Sequence, residues 1–147
     1  MKFCEMPYTR PDIDETKKSF DSLTERLASA KSYADAKEVF LEEQKLEKHI
    51  DTLVNLVSIR HSVNTRDKFY DEEKNFWNGA MPELQEYMQK WTGAMLATPF
   101  REDFSAEYGD LMFVNAEISL KAFSPEIIPE LQRENELVQE YEKLLAS

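Results

Sequence analysis

The stretch AKEVFLEEQKLEKHIDTLVNLVSIRHSVN, Ala36 to Asn64, decides the fold. Ala36, Phe40, Leu46, Ile50, Leu53 and Val57 recur at spacings of three or four wherever the stripe is unbroken, which is the period of an amphipathic helix. In the second half Leu53, Val54, Leu56, Val57 and Ile59 are apolar nearly all the way round, so that end is expected to be enclosed by several neighbours. The first half carries Lys37, Glu38, Glu42, Glu43, Lys45, Glu47 and Lys48 and reads as a solvated, charge-dense face. The result is a central rod on the order of 40 Å long, along which other helices line up.

Working outward, residues 1–10 read as an extended arm, because Pro7 and Pro11 push the residues before them out of the α region. Phe3, Met6 and Tyr8 give the arm apolar groups with which to dock. A first helix is expected from Pro11, with Asp12, Asp14 and Glu15 in its first turn, where the helix dipole favours anions. Its stripe is Ile13, Phe20, Leu23, Leu27 and Ala30. Ser32 is the expected cap of the central helix, and the short loop before it implies an antiparallel hairpin. After Asn64, Thr65 or Asp67 caps a third helix whose inner face is Phe69, Phe76, Trp77, Ala80, Met81, Leu84, Met88, Trp91 and Met95. Pro82 falls inside it; because the stripe continues in phase, a kink near Asn78 to Pro82 is expected, not a stop.

A short helix, Phe100 to Glu107, precedes Gly109. Leu111 to Phe123 alternates like a strand and also fits a buried helix; with no partner strand visible, helix is the reading. Ser124 and Pro125 start a last helix with Ile128, Leu131, Val138, Tyr141 and Leu145 as its face. The fold class is therefore all-α: an up-and-down array of about six helices with long antiparallel hairpins, forming a single domain over residues 1–147.

The charge balance, 18 basic against 29 acidic residues for a net −11, argues against sequence-independent nucleic-acid binding and against anionic membrane surfaces. No segment reaches the roughly 20 apolar residues of a membrane span. The start shows no signal peptide, and Cys4, the single cysteine, allows no intrachain disulfide; a reduced cytoplasm fits.

No residue set emerges as a catalytic, cofactor-binding or metal site. His49 and His61 are twelve residues apart, not at the four-residue spacing that puts two imidazoles on one metal, and there is no His-Glu-x-x-His. Leu46 and Ser58 stand three residues before them, so the Glu-x-x-His pairs of a di-iron bundle are absent. His61 reads as a partly buried, hydrogen-bonded side chain. Cys4 has no base nearby in sequence, and there is no phosphate loop or nucleophile elbow. Phe69, Tyr70, Phe76, Trp77 and Trp91 sit at helical spacing and read as core.

Three segments, MPYTRPDI (Met6–Ile13), IRHSVNTRDKFYD (Ile59–Asp71) and FSPEIIPELQ (Phe123–Gln132), resemble in order the N-terminal region of the oligoendopeptidase F family of zinc metallopeptidases, which is thimet oligopeptidase-like. The resemblance implies the N-terminal portion of a larger, nearly all-helical metallopeptidase. In that family the zinc site lies in the C-terminal half, on a His-Glu-x-x-His helix that this chain lacks. It implies that these helices wall a peptide channel admitting short peptides, and that the C-terminal catalytic half is their partner. Taken alone, the chain is expected to bind no zinc, to hydrolyse nothing and to self-associate through an uncovered apolar face of the last helix and the arm. The absence of a helix cap at Ser147 agrees with a fragment. The competing reading is a free-standing acidic module that takes a partner helix along an apolar groove.

Overall fold

The structure, a computed structural model, describes residues 2–122 and 128–147. These form six α-helices: α1 (Ile13–Ala28), α2 (Tyr33–Val63), α3 (Lys68–Leu96), α4 (Arg101–Tyr108), α5 (Leu111–Ala122) and α6 (Ile128–Ala146). The expected start of the last helix at Ser124 and Pro125 lies outside the described residues.

Local sequence sets most of the boundaries. Asp12 caps α1 by accepting the Glu15 N–H at 3.1 Å, so α1 begins at Ile13 and Pro11 precedes its cap, two residues later than the sequence suggests. Ser32 caps α2 by accepting the Asp35 N–H at 3.1 Å, as expected. Asp67, not Thr65, caps α3, accepting from Phe69 and Tyr70. Gly109, at φ 88°, ends α4 in a conformation that disfavours side-chain-bearing residues. In the arm, Phe3–Glu5 form one 3-10 turn instead of staying extended. The alternating stretch after Asp110 is a helix, and its Phe113 is buried.

The hub is α3, not α2. α3 packs against α1, α2, α5 and α6. The apolar groups collect in two clusters along it. One joins Phe20, Ile50, Leu53, Val57, Trp77, Ala80 and Leu84; the other joins Leu27, Phe40, Trp91, Met95, Phe104 and Phe113. Leu46, half-buried, touches both. The far end of α2 is not fully enclosed as expected, since Ile59 and Val63 are exposed.

α3 continues through Pro82, which is buried. Proline has no N–H, so the Asn78 carbonyl loses its helical donor. α6 supplies replacements: Asn135 Nδ2 donates to the Asn78 carbonyl at 3.4 Å, and Gln132 Nε2 to the adjacent Gly79 carbonyl at 2.8 Å. Gln139 bonds the Asn78 and Asp71 side chains, and Lys143 Nζ stands 2.5 Å from Asp71 Oδ1. Residues 132, 135, 139 and 143 share one face of α6. The contact face of α6 is therefore mostly polar, which corrects part of the expected Ile128, Leu131, Val138, Tyr141 and Leu145 face: Val138, Tyr141 and Leu145 are exposed, while Ile128 and Leu131 are half-buried.

Candidate functional site

Two buried glutamates stand where the apolar stripes of α2 and α3 skip a position. On α2 the stripe jumps from Phe40 to Leu46, and Glu43 fills the gap, 2 % exposed. On α3 the inner face jumps from Phe69 to Phe76, and Glu73 fills that gap, 5 % exposed. Glu43 thus departs from the solvated face assigned to it from sequence. Glu42 does face outward, paired with Arg26 across the α1–α2 hairpin at 2.6 Å.

Glu73 is fully partnered by the N-terminal arm. Arg10 grips the carboxylate with Nη2 at 2.6 Å and Nε at 3.1 Å. The Tyr8 hydroxyl donates to Glu73 Oε2 at 2.5 Å and accepts from Trp77 Nε1 at 3.0 Å. Burial pushes the Glu73 carboxyl up, but the Arg10 and Tyr8 hydrogen bonds outweigh it and hold it below the ordinary carboxylate value. Burial first, then the Glu73 bond, drives the Tyr8 hydroxyl up. Arg60 fastens the arm's start, donating from Nη2 to the Phe3 and Met6 carbonyls at 2.9 and 2.8 Å and from Nη1 to the Tyr70 hydroxyl at 2.9 Å. The segments Met6–Ile13 and Ile59–Asp71, far apart in sequence, therefore meet.

His61 lies next to this clamp. Its ring is completely buried, Nε2 donates to Asp71 Oδ1 at 3.2 Å, and among the described residues Nδ1 has no partner. Burial raises Asp71; Lys143, Gln139 and His61 together more than offset it, so the carboxyl sits below its usual value. His61 is thus hydrogen-bonded through one nitrogen and lies deeper than the sequence suggests. His49 and Cys4 are exposed. Trp77 and Trp91 are core, whereas Phe69 is exposed and its edge meets Tyr8. Among the described residues no group of three or more His, Cys, Asp and Glu side chains is placed to hold a metal ion. No described helix is long and apolar enough to cross a membrane.

Glu43 faces a cavity of about 240 Å³ between α2, α3 and α5. Phe40, Met88, Trp91, Met95, Met112 and Phe113 form its apolar wall, and Gln44, Glu47, Asn115 and Ser119 its polar parts. Glu43 Oε2 accepts from Gln44 Nε2 at 3.0 Å; among the described residues Oε1 accepts from nothing. Burial, then the charge of Glu47, pushes the Glu43 carboxyl up to about 7. Burial and Asp51 push Glu47 up as well. The cavity is thus an apolar chamber with an inward carboxyl group. It was hidden in the sequence by the charges around Glu43; the break in the stripe between Phe40 and Leu46 was the available signal.

The peptidase M3 N-terminal domain family matches residues 3–123. A protein described as an oligoendopeptidase F from Bacillus anthracis str. Ames superimposes at TM-score 0.97 with 39 % identity, over 100 % of this chain and 27 % of that one. A second structure described as an oligoendopeptidase F matches at TM-score 0.97 with 35 % identity, over 100 % of this chain and 26 % of the other. PZ peptidase A, solved with an inhibitor, matches at TM-score 0.95 with 34 % identity, over 99 % of this chain and 26 % of that one. This chain therefore spans about a quarter of the length of these solved relatives. No match was found among curated proteins.

Proposed function

The chain belongs to the peptidase M3 N-terminal domain family, and from that premise we propose that it is the non-catalytic N-terminal domain, residues 1–147, of an oligoendopeptidase F-like zinc metalloendopeptidase. Its helices form part of the wall of a channel that admits short peptides, and its partner is the C-terminal catalytic half. Zinc and the groups that react belong to that half, and the assembled enzyme works in the cytoplasm.

The observation that carries this reading is the placement of apolar side chains on α5 and α6. Leu111, Val114 and Ile118 lie on one face of α5, and all three are exposed. On α6, Leu137, Val138, Tyr141, Leu144 and Leu145 are exposed, with Leu144 at 70 % and Leu145 at 69 %. Uncovered apolar surface on this scale marks a docking face. The solved relatives are about four times longer than the part matched here, which supplies a body of polypeptide to cover it.

The test uses the Bacillus anthracis relative shortened by the quarter that this chain matches. Hydrogen exchange is measured on the 147-residue chain with and without that shortened protein. Added protection confined to α5 and α6 is the expected result. Unchanged exchange on both helices at saturating partner overturns the assignment of these faces.

A further inference from the structure

Glu43 and Glu73 are the same device in two states. Each is a glutamate at an inward position of a long helix, and each is buried. Glu73 is neutralised by Arg10, a cation delivered by a separate segment, whose guanidinium also lies 4.4 Å from the centre of the Phe76 ring. Among the described residues no such cation reaches Glu43: its one partner there is the neutral amide of Gln44. Among the described residues the only other titratable side chain lining its cavity is Glu47, on the same helix; the described lining from α3 and α5 carries no charge.

A buried carboxylate is stable only when paired and hydrogen-bonded. The wall beside it suits a flexible aliphatic stem, because Met88, Met95 and Met112 adapt their shape and Trp91 adds apolar aromatic surface. We propose that the α2–α3–α5 cavity binds an alkylammonium group, with the charged head on Glu43 and the aliphatic stem against Trp91 and the methionines. Such a group is carried by a free small amine or by a lysine side chain of a peptide. The polar mouth at Asn115 and Ser119, both exposed, leaves the way in open. The binding does not depend on the peptidase assignment.

The experiment follows the methyl signals of Met88, Met95 and Met112 by NMR in the 147-residue chain at pH 8. The probes are n-butylammonium, the peptide acetyl-Ala-Lys-Ala-amide and neutral 1-butanol, each titrated into the wild type and into Glu43→Gln. Saturable shifts of these methyls by n-butylammonium are expected, weakened about tenfold or more in Glu43→Gln, as for loss of a charge-assisted hydrogen bond. The 1-butanol response should be equal in the two proteins, which shows that the cavity survives the substitution. If the peptide behaves like n-butylammonium, the site takes a lysine side chain; if only n-butylammonium binds, it takes a free amine. No saturable shift with either cation, or equal affinity in Glu43→Gln, overturns the proposal.

Discussion

Gln139 of α6 donates from Nε2 to Asp71 Oδ1 of α3 across 3.1 Å, and among the described residues Gln139 is the one buried side chain that α6 contributes. A helix that exposes Leu137, Leu144 and Leu145 is thus held to the bundle largely through polar side chains, with this amide at the centre of them. A neutral hydrogen bond contributes about 1 kcal/mol net, but stranding a buried partner costs about 1–3 kcal/mol. Gln139→Ala strands Asn78 and removes one donor from Asp71. The expected outcome is faster amide exchange throughout α6, with α1 to α3 unchanged. Exchange in α6 equal to wild type would refute the polar attachment.

The arm clamp gives a second prediction. Arg10→Ala leaves the buried Glu73 carboxylate with Tyr8 as its remaining side-chain donor, and Tyr8→Phe removes that donor. Removing one partner of a buried pair costs about 3–5 kcal/mol, and the half-exposed Arg10 brings this down to about 1–3 kcal/mol. Tyr8→Phe should cost about 1–2 kcal/mol. Urea denaturation should show lower midpoints with unchanged slopes. Midpoints equal to wild type for both variants would mean that the arm adds nothing to stability.

Acid should weaken the same clamp. The Glu73 carboxyl sits below its ordinary value in the fold, so its contribution is complete above the unfolded value of 4.5 and is lost as pH falls through the folded one. Asp71 acts in the same direction. Glu73→Gln should therefore flatten the stability profile below pH 4.5. A profile as steep as that of the wild type would contradict the assignment.

Glu43 carries the opposite sign. Its folded value of about 7 lies above its unfolded value of 4.5, so its contribution is complete below 4.5 and declines as pH rises through about 7. Above that, the ionised group is a net cost without a cation. Glu43→Gln should be more stable than wild type at pH 8 by about 3 kcal/mol and nearly equal to it at pH 4. Thermal unfolding at the two pH values decides it; an equal difference at both would show that Glu43 does not titrate in this range.

The contrast between these two glutamates also shows what the sequence makes legible. The helices were readable because caps such as Ser32 and stripes such as Phe20, Leu23 and Leu27 act locally, and local physics is written locally. The buried positions of Glu43 and Glu73 are hard to see in the sequence, because a single carboxylate in a charged run looks solvated unless its place in the stripe is counted. The outward turn of the α6 apolar face is illegible for a different reason. Periodicity identifies an apolar face but not which neighbour covers it, and here Pro82 frees a carbonyl on α3 that attracts the polar face instead. The hub role of α3 likewise depends on contacts with α5 and α6 that periodicity does not encode.

The uncovered faces predict association. Ile118, Leu144 and Leu145 are exposed apolar groups on α5 and α6, and the net charge of −11 opposes contact only where it is not screened. Sedimentation velocity should show the chain self-associating as concentration rises, more strongly at high salt. Leu144→Glu with Leu145→Glu should shift it toward monomer. A clean monomer at millimolar concentration in high salt would mean that these faces are not adhesive.

On the function proposed above, these helices are scaffold for chemistry carried out by polypeptide outside this chain. The most direct test is cleavage of a short, internally quenched fluorescent peptide by the purified 147-residue chain supplied with zinc. The expected result is no turnover above the buffer rate. Chelator-sensitive cleavage by this chain alone, lost when its own histidines or carboxylates are replaced, would contradict it.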